Sequence, residues 1–383
     1  MAASSLAWKQ LWHQKLRLLV ALAGIAFAVI LILMQLGFRA SLFESAVRYH
    51  ERLIYDVALF SVDSQFIVRP ASFSSRRLYQ ARAVPGVESV SPVYIFPSVW
   101  KNPFSADRRS IFTLGVDPDD RVLDAPGVEE SRELLYHSDV VLFDARSRPE
   151  HGPIAEHFER GERVVTEVND REVEVVGLFE MGTSFGLDAS ILTSDTNFLR
   201  LFPERQRTQI DLGLIRLEPG ADPEVVRDRI RALLPDDVEV LTKADFVARE
   251  KAYWNSATPI GYIFAFGAIM GFVVGAIIVY QILYADVSDH LAEYATLKAI
   301  GYSGLFISWL VVQQAVILAL LGFAPGVAAA WWLYEKAGAA TNLPLYLTEE
   351  RAVLVLGLTL AMCAVAGLIA LRKVRSADPA DVF

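Results

Sequence analysis

Four membrane-length apolar runs, one near the start of the chain and three near the end, decide what this sequence can fold into. No charged residue occurs from Leu18 to Phe38, from Ala252 to Ala285, from Ala299 to Tyr334 or from Ala352 to Leu371. Each run reaches the ~20 residues a helix needs to cross ~30 Å of hydrocarbon. Every central Leu, Ile, Val or Phe adds about −0.3 to −0.6 kcal/mol, and no charge opposes it, so insertion is favoured in all four. The expected fold is a multi-pass α-helical membrane protein with four transmembrane helices. A large α+β extracytoplasmic domain is inserted between the first and the second.

The flanking charges orient it. Lys9, Lys15 and Arg17 precede the first run, and Arg372, Lys373 and Arg375 follow the last. Both termini are therefore expected in the cytoplasm, as an even number of spans requires. Arg39 to Thr258 then lies outside, with 37 acidic against 27 basic residues. The acidity of the chain (net −9) thus belongs to that segment, and nothing in it asks for nucleic acid. The first run is longer than a signal-peptide core and has no small-x-small exit before Arg39, so it is expected to stay as an anchor. Cys363 is the lone cysteine and falls in the fourth run, which leaves the outer segment to be held by its own core rather than by disulfides.

These boundaries give an expected order. Residues 1–15 form a cytoplasmic interfacial helix, 16–38 the first span, and 39–258 the outer domain with a stalk helix at each end. The second span is 259–284, a cytoplasmic coupling segment 285–303, and the third span 304–333. A short outer loop (334–351), the fourth span (352–371) and a cytoplasmic tail (372–383) complete the chain. The first stalk helix is read from Leu42, Phe43, Ala46, Val47, Leu53, Ile54 and Val57, which recur at helical spacing. The second is read from Phe246, Val247, Tyr253 and Trp254, with Thr258 as N-cap and Pro259 in the first turn marking a hinge.

Between the stalks the pattern predicts strands at Gln65–Arg69 and Val87–Ile95 around a helix at Ser74–Ala83. A matching set occupies Gln209–Leu217, Pro223–Leu234 and Val238–Leu241, so one lobe draws its halves from both ends of the insert. A hairpin is expected at Arg163–Glu167 and Glu172–Leu178, turning at Asn169-Asp170. Ser110–Val116 and Val140–Phe143 would join it in a second lobe.

Catalytic signatures are few. Gly182-Thr183-Ser184-Phe185-Gly186 matches a nucleophile elbow, but the only histidine after it, His290, is expected across the membrane. A glycine-rich turn is the plainer reading. Asp117, Asp119 and Asp120 lack the spacing of a calcium loop, the histidines form no HxxxH pattern, and no phosphate-binding loop occurs. Catalytic residues, a metal and a cofactor of this chain's own are not expected. The spans also lack the ionisable residues that ion-coupled transporters place at mid-membrane. They carry instead a small-residue ridge, Gly267, Gly271 and Gly275, which lets another helix approach closely, either within the chain or in a second copy. Gly322 and Gly326 repeat the spacing around Pro325, where a kink is expected.

Asp286–Tyr302 is short, helix-prone and acidic against the positive-inside trend, which fits a segment that docks a protein. Glu293-Tyr294-Ala295-Thr296-Leu297-Lys298-Ala299-Ile300-Gly301-Tyr302, leading on to Gln313-Gln314-Ala315, resembles the signature of FtsX-like ABC permeases. One span, a large outer domain and three further spans is the arrangement of that family, including its MacB-type members. Leu6-Ala7-Trp8-Lys9-Gln10-Leu11, Met34-Gln35-Leu36-Gly37-Phe38, Thr193-Ser194-Asp195-Thr196-Asn197-Phe198 and Thr258-Pro259-Ile260-Gly261 are similar to the DevC-type permeases.

The resemblance implies a homodimer in a bacterial inner membrane, paired with a DevA-like ATP-binding cassette subunit that holds the ATP and Mg. It implies a DevB-like membrane-fusion protein and, through it, a TolC-like outer-membrane duct. It places Asp289, Glu293, Leu297, Lys298 and Gly301 against the ATPase. Gly267, Gly271 and Gly275 would pack helices, and Leu42, Val47 and Pro259 would lie in the moving stalk. The expected function is mechanotransmission: ATP hydrolysis in the partner displaces the outer domain, which expels a lipidic or amphipathic cargo. Two rivals are an FtsX-like scaffold that drives an external hydrolase without transport, and an anchored extracytoplasmic enzyme.

Overall fold

The structure, a computed structural model, describes residues 15–376 apart from 185, 257–258, 291–292, 294–295, 297–299 and 342. Leu297 and Lys298, all but the last residue of the expected interfacial helix (1–15) and the end of the tail lie outside the described residues. The chain divides into two compact units. One is drawn from the chain up to Ser41 and from Pro259 onward, the other from Leu42 to Thr258.

Among the described residues, four helices are long and apolar enough to cross a membrane: Lys15–Ala46, Ile260–Asp289, Gly304–Thr341 and a last one, Glu349–Ser376. A large α/β domain separates the first from the second. The second helix continues past the apolar run to Asp289, so the start of the expected coupling segment is helical. The third runs to Thr341, which makes residues 334–341 helix rather than loop, and it is unbroken through Pro325. The four pack around a shared core that includes Ile25, Ala28, Val29, Ile32, Val279, Leu283, Ala315, Leu318, Met362 and Cys363. The Tyr334 hydroxyl donates to the Leu33 carbonyl and ties the third helix to the first.

The outer domain is built on one sheet. Its strands are β1 (Val57–Ser61), β3 (Val87–Lys101), β4 (Arg108–Val116), β5 (Val140–Asp144), β6 (Val164–Val168), β7 (Arg171–Phe179), β8 (Ser190–Ser194), β10 (Leu212–Leu217) and β11 (Val238–Thr242). A two-stranded ribbon, β2 (Phe73–Ser74) with β9 (Gln209–Ile210), stands apart. The order across the large sheet is β11-β1-β10-β3-β4-β8-β5-β7-β6. One further pair, Trp100 opposite Val168, joins β6 back to β3 and closes that limb on itself.

The fifteen-residue β3 is the seam of the sheet. Its first half pairs with β10 and its second half with β4, and Val93 serves both ladders. The expected two lobes are therefore two limbs of a single sheet. Strand β1 is also a correction. Helical spacing predicts that the first stalk helix reaches Val57, yet Val57–Ser61 lies between β10 and β11 with every residue buried. Val57 and Leu59 enter one hydrophobic layer while Ala58 and Phe60 enter the other, so both faces must be apolar. A strand buried on both faces has no alternation to reveal it.

Gln65–Arg69 is likewise no strand. It is a turn closed by a single bridge between Phe66 and Arg69. The hairpin of β6 and β7 turns at Asn169 and Asp170, whose φ angles of 49° and 62° are the left-handed pair a tight two-residue connection requires.

Candidate functional site

The segment expected to meet an ATPase begins at the end of the second span helix. Asp289 there accepts from Arg17 of the first span at 2.6 Å, a pair that links two helices distant in sequence. One turn earlier Asp286 is buried, and the His290 ring nitrogen Nδ1 lies 2.9 Å from its carbonyl oxygen. Glu293 and Thr296 are helical and exposed. Gly301 comes next with φ +105° and open space around its α-carbon. Backbone conformation, rather than crowding, is what demands glycine at that point. Ile300, Tyr302 and Leu305 around it are exposed, and Ser303 starts the third span helix by accepting from the Phe306 amide at its carbonyl. Sequence reasoning misses the linkage of Arg17 with Asp289, because along the chain Arg17 reads only as a topology signal.

The glycine ridge packs within the chain. A β-carbon on Gly267 would meet the Gln35 amide at 2.5 Å, and one on Gly271 would meet Ile32 at 3.1 Å. On Gly275 it would meet Ala28 at 2.6 Å and press on the Met362 sulfur. Gly322 and Gly326 of the third helix face Ile25 and Val29 at 2.7 and 2.8 Å. The first span is thus gripped by small residues from two neighbours. Of the two readings of Gly267, Gly271 and Gly275, this geometry displays the packing within the chain: their close approach is taken up by the first span and, at Gly275, also by Met362.

In the outer unit, Leu42 and Val47 are both buried. Val47 is the non-helical residue between Lys15–Ala46 and the short helix Arg48–Arg52, which makes it a break in the helical path. On the membrane side, Pro259 occupies the N-cap position of the second span helix, one place earlier than the first-turn position expected for it. Its carbonyl accepts from the Ile263 amide at 2.9 Å.

Comparison with known proteins identifies this arrangement. Residues 18–233, more than half the chain, match the MacB-like periplasmic core domain, and residues 265–379 match the FtsX-like permease C-terminal family. The chain belongs to the MacB/FtsX-type ABC transporter permeases. The permease is 24% identical to an uncharacterized ABC transporter permease of Mycobacterium bovis over 384 residues, 98% of each chain. It is 25% identical over 310 residues to one of Mycobacterium tuberculosis, 80% of this chain and 77% of that relative. Among solved structures, the periplasmic region of MacB from Actinobacillus actinomycetemcomitans aligns with a TM-score of 0.36 and 10% identity, over 50% of this chain and 91% of that one. The extracellular domain of YknZ from Gram-positive bacteria aligns with 0.34 and 15%, over 49% and 99%. A permease of this class is a multi-pass inner-membrane protein and works with an ATP-binding cassette partner.

The described residues of the permease's G-x-S-x-G segment lie in a turn. Ser184 and Leu187 close it with reciprocal backbone bonds of 2.9 and 3.2 Å. The chain then enters strand β8, whereas an elbow would continue into a helix. The buried Asp144 carboxylate holds the turn by accepting from the Met181 and Gly182 amides at 3.1 and 2.8 Å, and Arg48 donates to the Thr183 carbonyl at 2.7 Å. Ser184→Ala should therefore leave expression and the ATPase rate of the complex within about twofold of wild type, as expected for a change outside any transition-state contact. A loss beyond about tenfold in a folded variant would mark the serine as a nucleophile. Asp117–Asp120 is also a turn, closed by the Asp119 and Asp120 amides on Asp117. Among the described residues no group of three or more His, Cys, Asp or Glu is placed to hold a metal ion.

Proposed function

We propose that this permease is the mechanotransmitting subunit of an ABC exporter, with no catalytic group of its own. ATP and Mg are held by a separate DevA-like subunit, which pushes on the segment from Asp289 to Gly301. The spans carry the displacement outward, and the outer domain hands a lipidic or amphipathic cargo to a DevB-like adaptor and a TolC-like duct. Two copies assemble around two ATPase subunits, with both termini in the cytoplasm.

The observation that supports this reading most directly is the packing of the four spans. Their interior is filled by mostly apolar side chains interlocked through glycines, with Gln314 and Thr359 buried among them, and the charged groups Arg17, Asp286 and Asp289 lie together at the end this reading places in the cytoplasm. Such a bundle suits the transfer of force better than the passage of an amphipathic molecule.

Glu293→Lys tests it. The variant should insert and fold as wild type does, yet lose the ATPase subunit on co-purification and at least about tenfold of the nucleotide-driven change in outer-domain hydrogen exchange. Undiminished capture and response would remove the coupling role from this segment. A nucleotide response with no cargo expelled by the reconstituted complex would favour the FtsX-like regulatory scaffold instead.

A further inference from the structure

The outer domain contains a buried acid–imidazole pair that lies outside the coupling segment and outside the glycine-packed spans. His50, in the first short helix after the spans, and Glu250, in the last helix before them (Lys243–Ser256), are 0% and 1% exposed. They are two hundred positions apart in the chain, and the fold sets them face to face. His50 Nε2 and Glu250 Oε2 stand 4.0 Å apart, inside ion-pair range but too far for a hydrogen bond. Among the described residues Nε2 finds no hydrogen-bond partner.

Every other part of the pair is held. The Glu250 carboxylate accepts from the Ile67 amide and from the Trp254 indole, each at 3.2 Å. The His50 ring packs edge-on against Phe246 at 4.4 Å between centroids, and its Nδ1 lies 2.9 Å from the Tyr55 hydroxyl. Burial and the neighbouring Glu250 push the Tyr55 hydroxyl above the ordinary tyrosine range, so it stays protonated, able to donate to Nδ1 or to accept from it. In the tautomer where Nδ1 accepts from Tyr55, the imidazole hydrogen sits on Nε2 and faces the carboxylate. Lys243 bonds the Leu53 carbonyl at 2.8 Å and lies over the Tyr55 ring, while Arg249 bonds the Ser64 carbonyl at 2.6 Å. The two ends of the domain are therefore already in register, and a shift of about 1 Å would bring donor and acceptor to bonding distance.

Burying a carboxylate and an imidazole without a bond between them is unfavourable, and apolar residues would fill the same space at lower cost. A pair kept just out of reach is what a two-position contact requires. We propose that His50 and Glu250 are a clasp between the first and last helices of the outer domain, open in this structure and closed in the other state of the ATPase cycle. The clasp makes the two ends of the domain respond as one. It deepens the proposed function and rests on it, since the displacement is supplied by the partner ATPase.

The test is hydrogen exchange on the full-length permease with its ATP-binding cassette subunit in lipid nanodiscs, without nucleotide and after trapping with ATP and vanadate. In wild type, nucleotide should change exchange in residues 48–56 and 243–256 together, by about threefold or more. Glu250→Gln should abolish the joint response while co-purification of the ATPase stays unchanged; its thermal midpoint falls modestly, because the amide oxygen can accept from only one of the Ile67 and Trp254 donors. His50→Gln, which keeps a polar partner for Tyr55, should do the same, so a folding failure of one variant leaves the other to decide. The double variant should be no worse than either single. Joint responses that survive in both single variants would overturn the clasp and leave the proposed function standing. A wild type in which nucleotide moves neither segment would overturn both.

Discussion

Replacing Gly275 by leucine is expected to abolish the folded span bundle. Even a methyl group there would stand 2.6 Å from the Ala28 β-carbon and collide with the Met362 sulfur, so neighbours on two different helices would have to retreat at once. Overpacking a well-filled core costs about 1–3 kcal/mol for a few added methylenes, and a leucine wedged between two helices exceeds that range. Gly271 supplies the internal comparison. Its nearest neighbours, Ile32 and Leu31, stand at 3.1 and 3.3 Å and could yield by a few tenths of an ångström. Gly271→Ala should therefore be tolerated where Gly275→Ala is not. Thermal midpoints and the monodisperse yield of the full chain in detergent measure the difference. Equal behaviour of the two alanine variants would show that Gly275 is not pinned from both sides.

The second large effect is expected at Asp211, between the β9 ribbon and β10. Its carboxylate is fully buried and accepts from Arg205 at 2.6 and 2.5 Å, from the Ser72 hydroxyl at 2.8 Å and from the Ile95 amide at 2.8 Å. The Arg205 guanidinium lies over the Phe96 and Phe198 rings, with its side chain only 11% exposed. Asp211→Ala would leave that cation buried without its counter-charge and the Ile95 amide without an acceptor. Breaking such a pair from one side costs about 3–5 kcal/mol. For a domain of this size that lowers the unfolding temperature by roughly 10 °C. Thermal unfolding of the full chain, followed by tryptophan fluorescence, checks it. Adding Arg205→Met to Asp211→Ala should recover much of the loss, because the stranded charge is then gone. A double variant as unstable as the single would point to the Ile95 and Ser72 bonds instead.

The number and order of the spans are legible in the sequence, since absence of charge over a membrane's width is a one-dimensional property, whereas the helices overrun the apolar runs to Asp289 and Thr341. Features set by local chemistry are legible too. Asp222, bonded to the Glu224 amide, caps the helix Pro223–Leu233 with proline in its first turn, and Asn169-Asp170 marks the hairpin. Features set by distant pairing are hidden. Leu53, Ile54 and Val57 satisfy a helical spacing as well as a strand buried on both faces, so β1 passes for the end of a helix. Strand β8 carries no signal of its own, because Ser190–Ser194 is a short buried run inserted parallel to β4. The unity of the sheet depends on one strand serving two partners in succession, which no window along the chain reveals. His50 and Glu250 are equally silent: each is an ordinary polar residue in a helical segment until the fold removes both from water.

Strand β1 also imposes an order on how the protein can be made. It is the first strand to leave the ribosome, and its two ladder partners are among the last: Val57 pairs with Ile215 on one side and with Thr242 on the other. Pairings of such long sequence separation form slowly, because the intervening chain must be restrained before any contact rewards it. During synthesis the first span is thus already anchored while β1, apolar on both faces, waits without a neighbour for most of the outer domain to emerge. An unpaired hydrophobic strand is an invitation to mispair with another nascent chain. The position of β1 makes outer-domain assembly a post-translocational event, and makes Val57–Ser61 the segment for which a holding chaperone would compete.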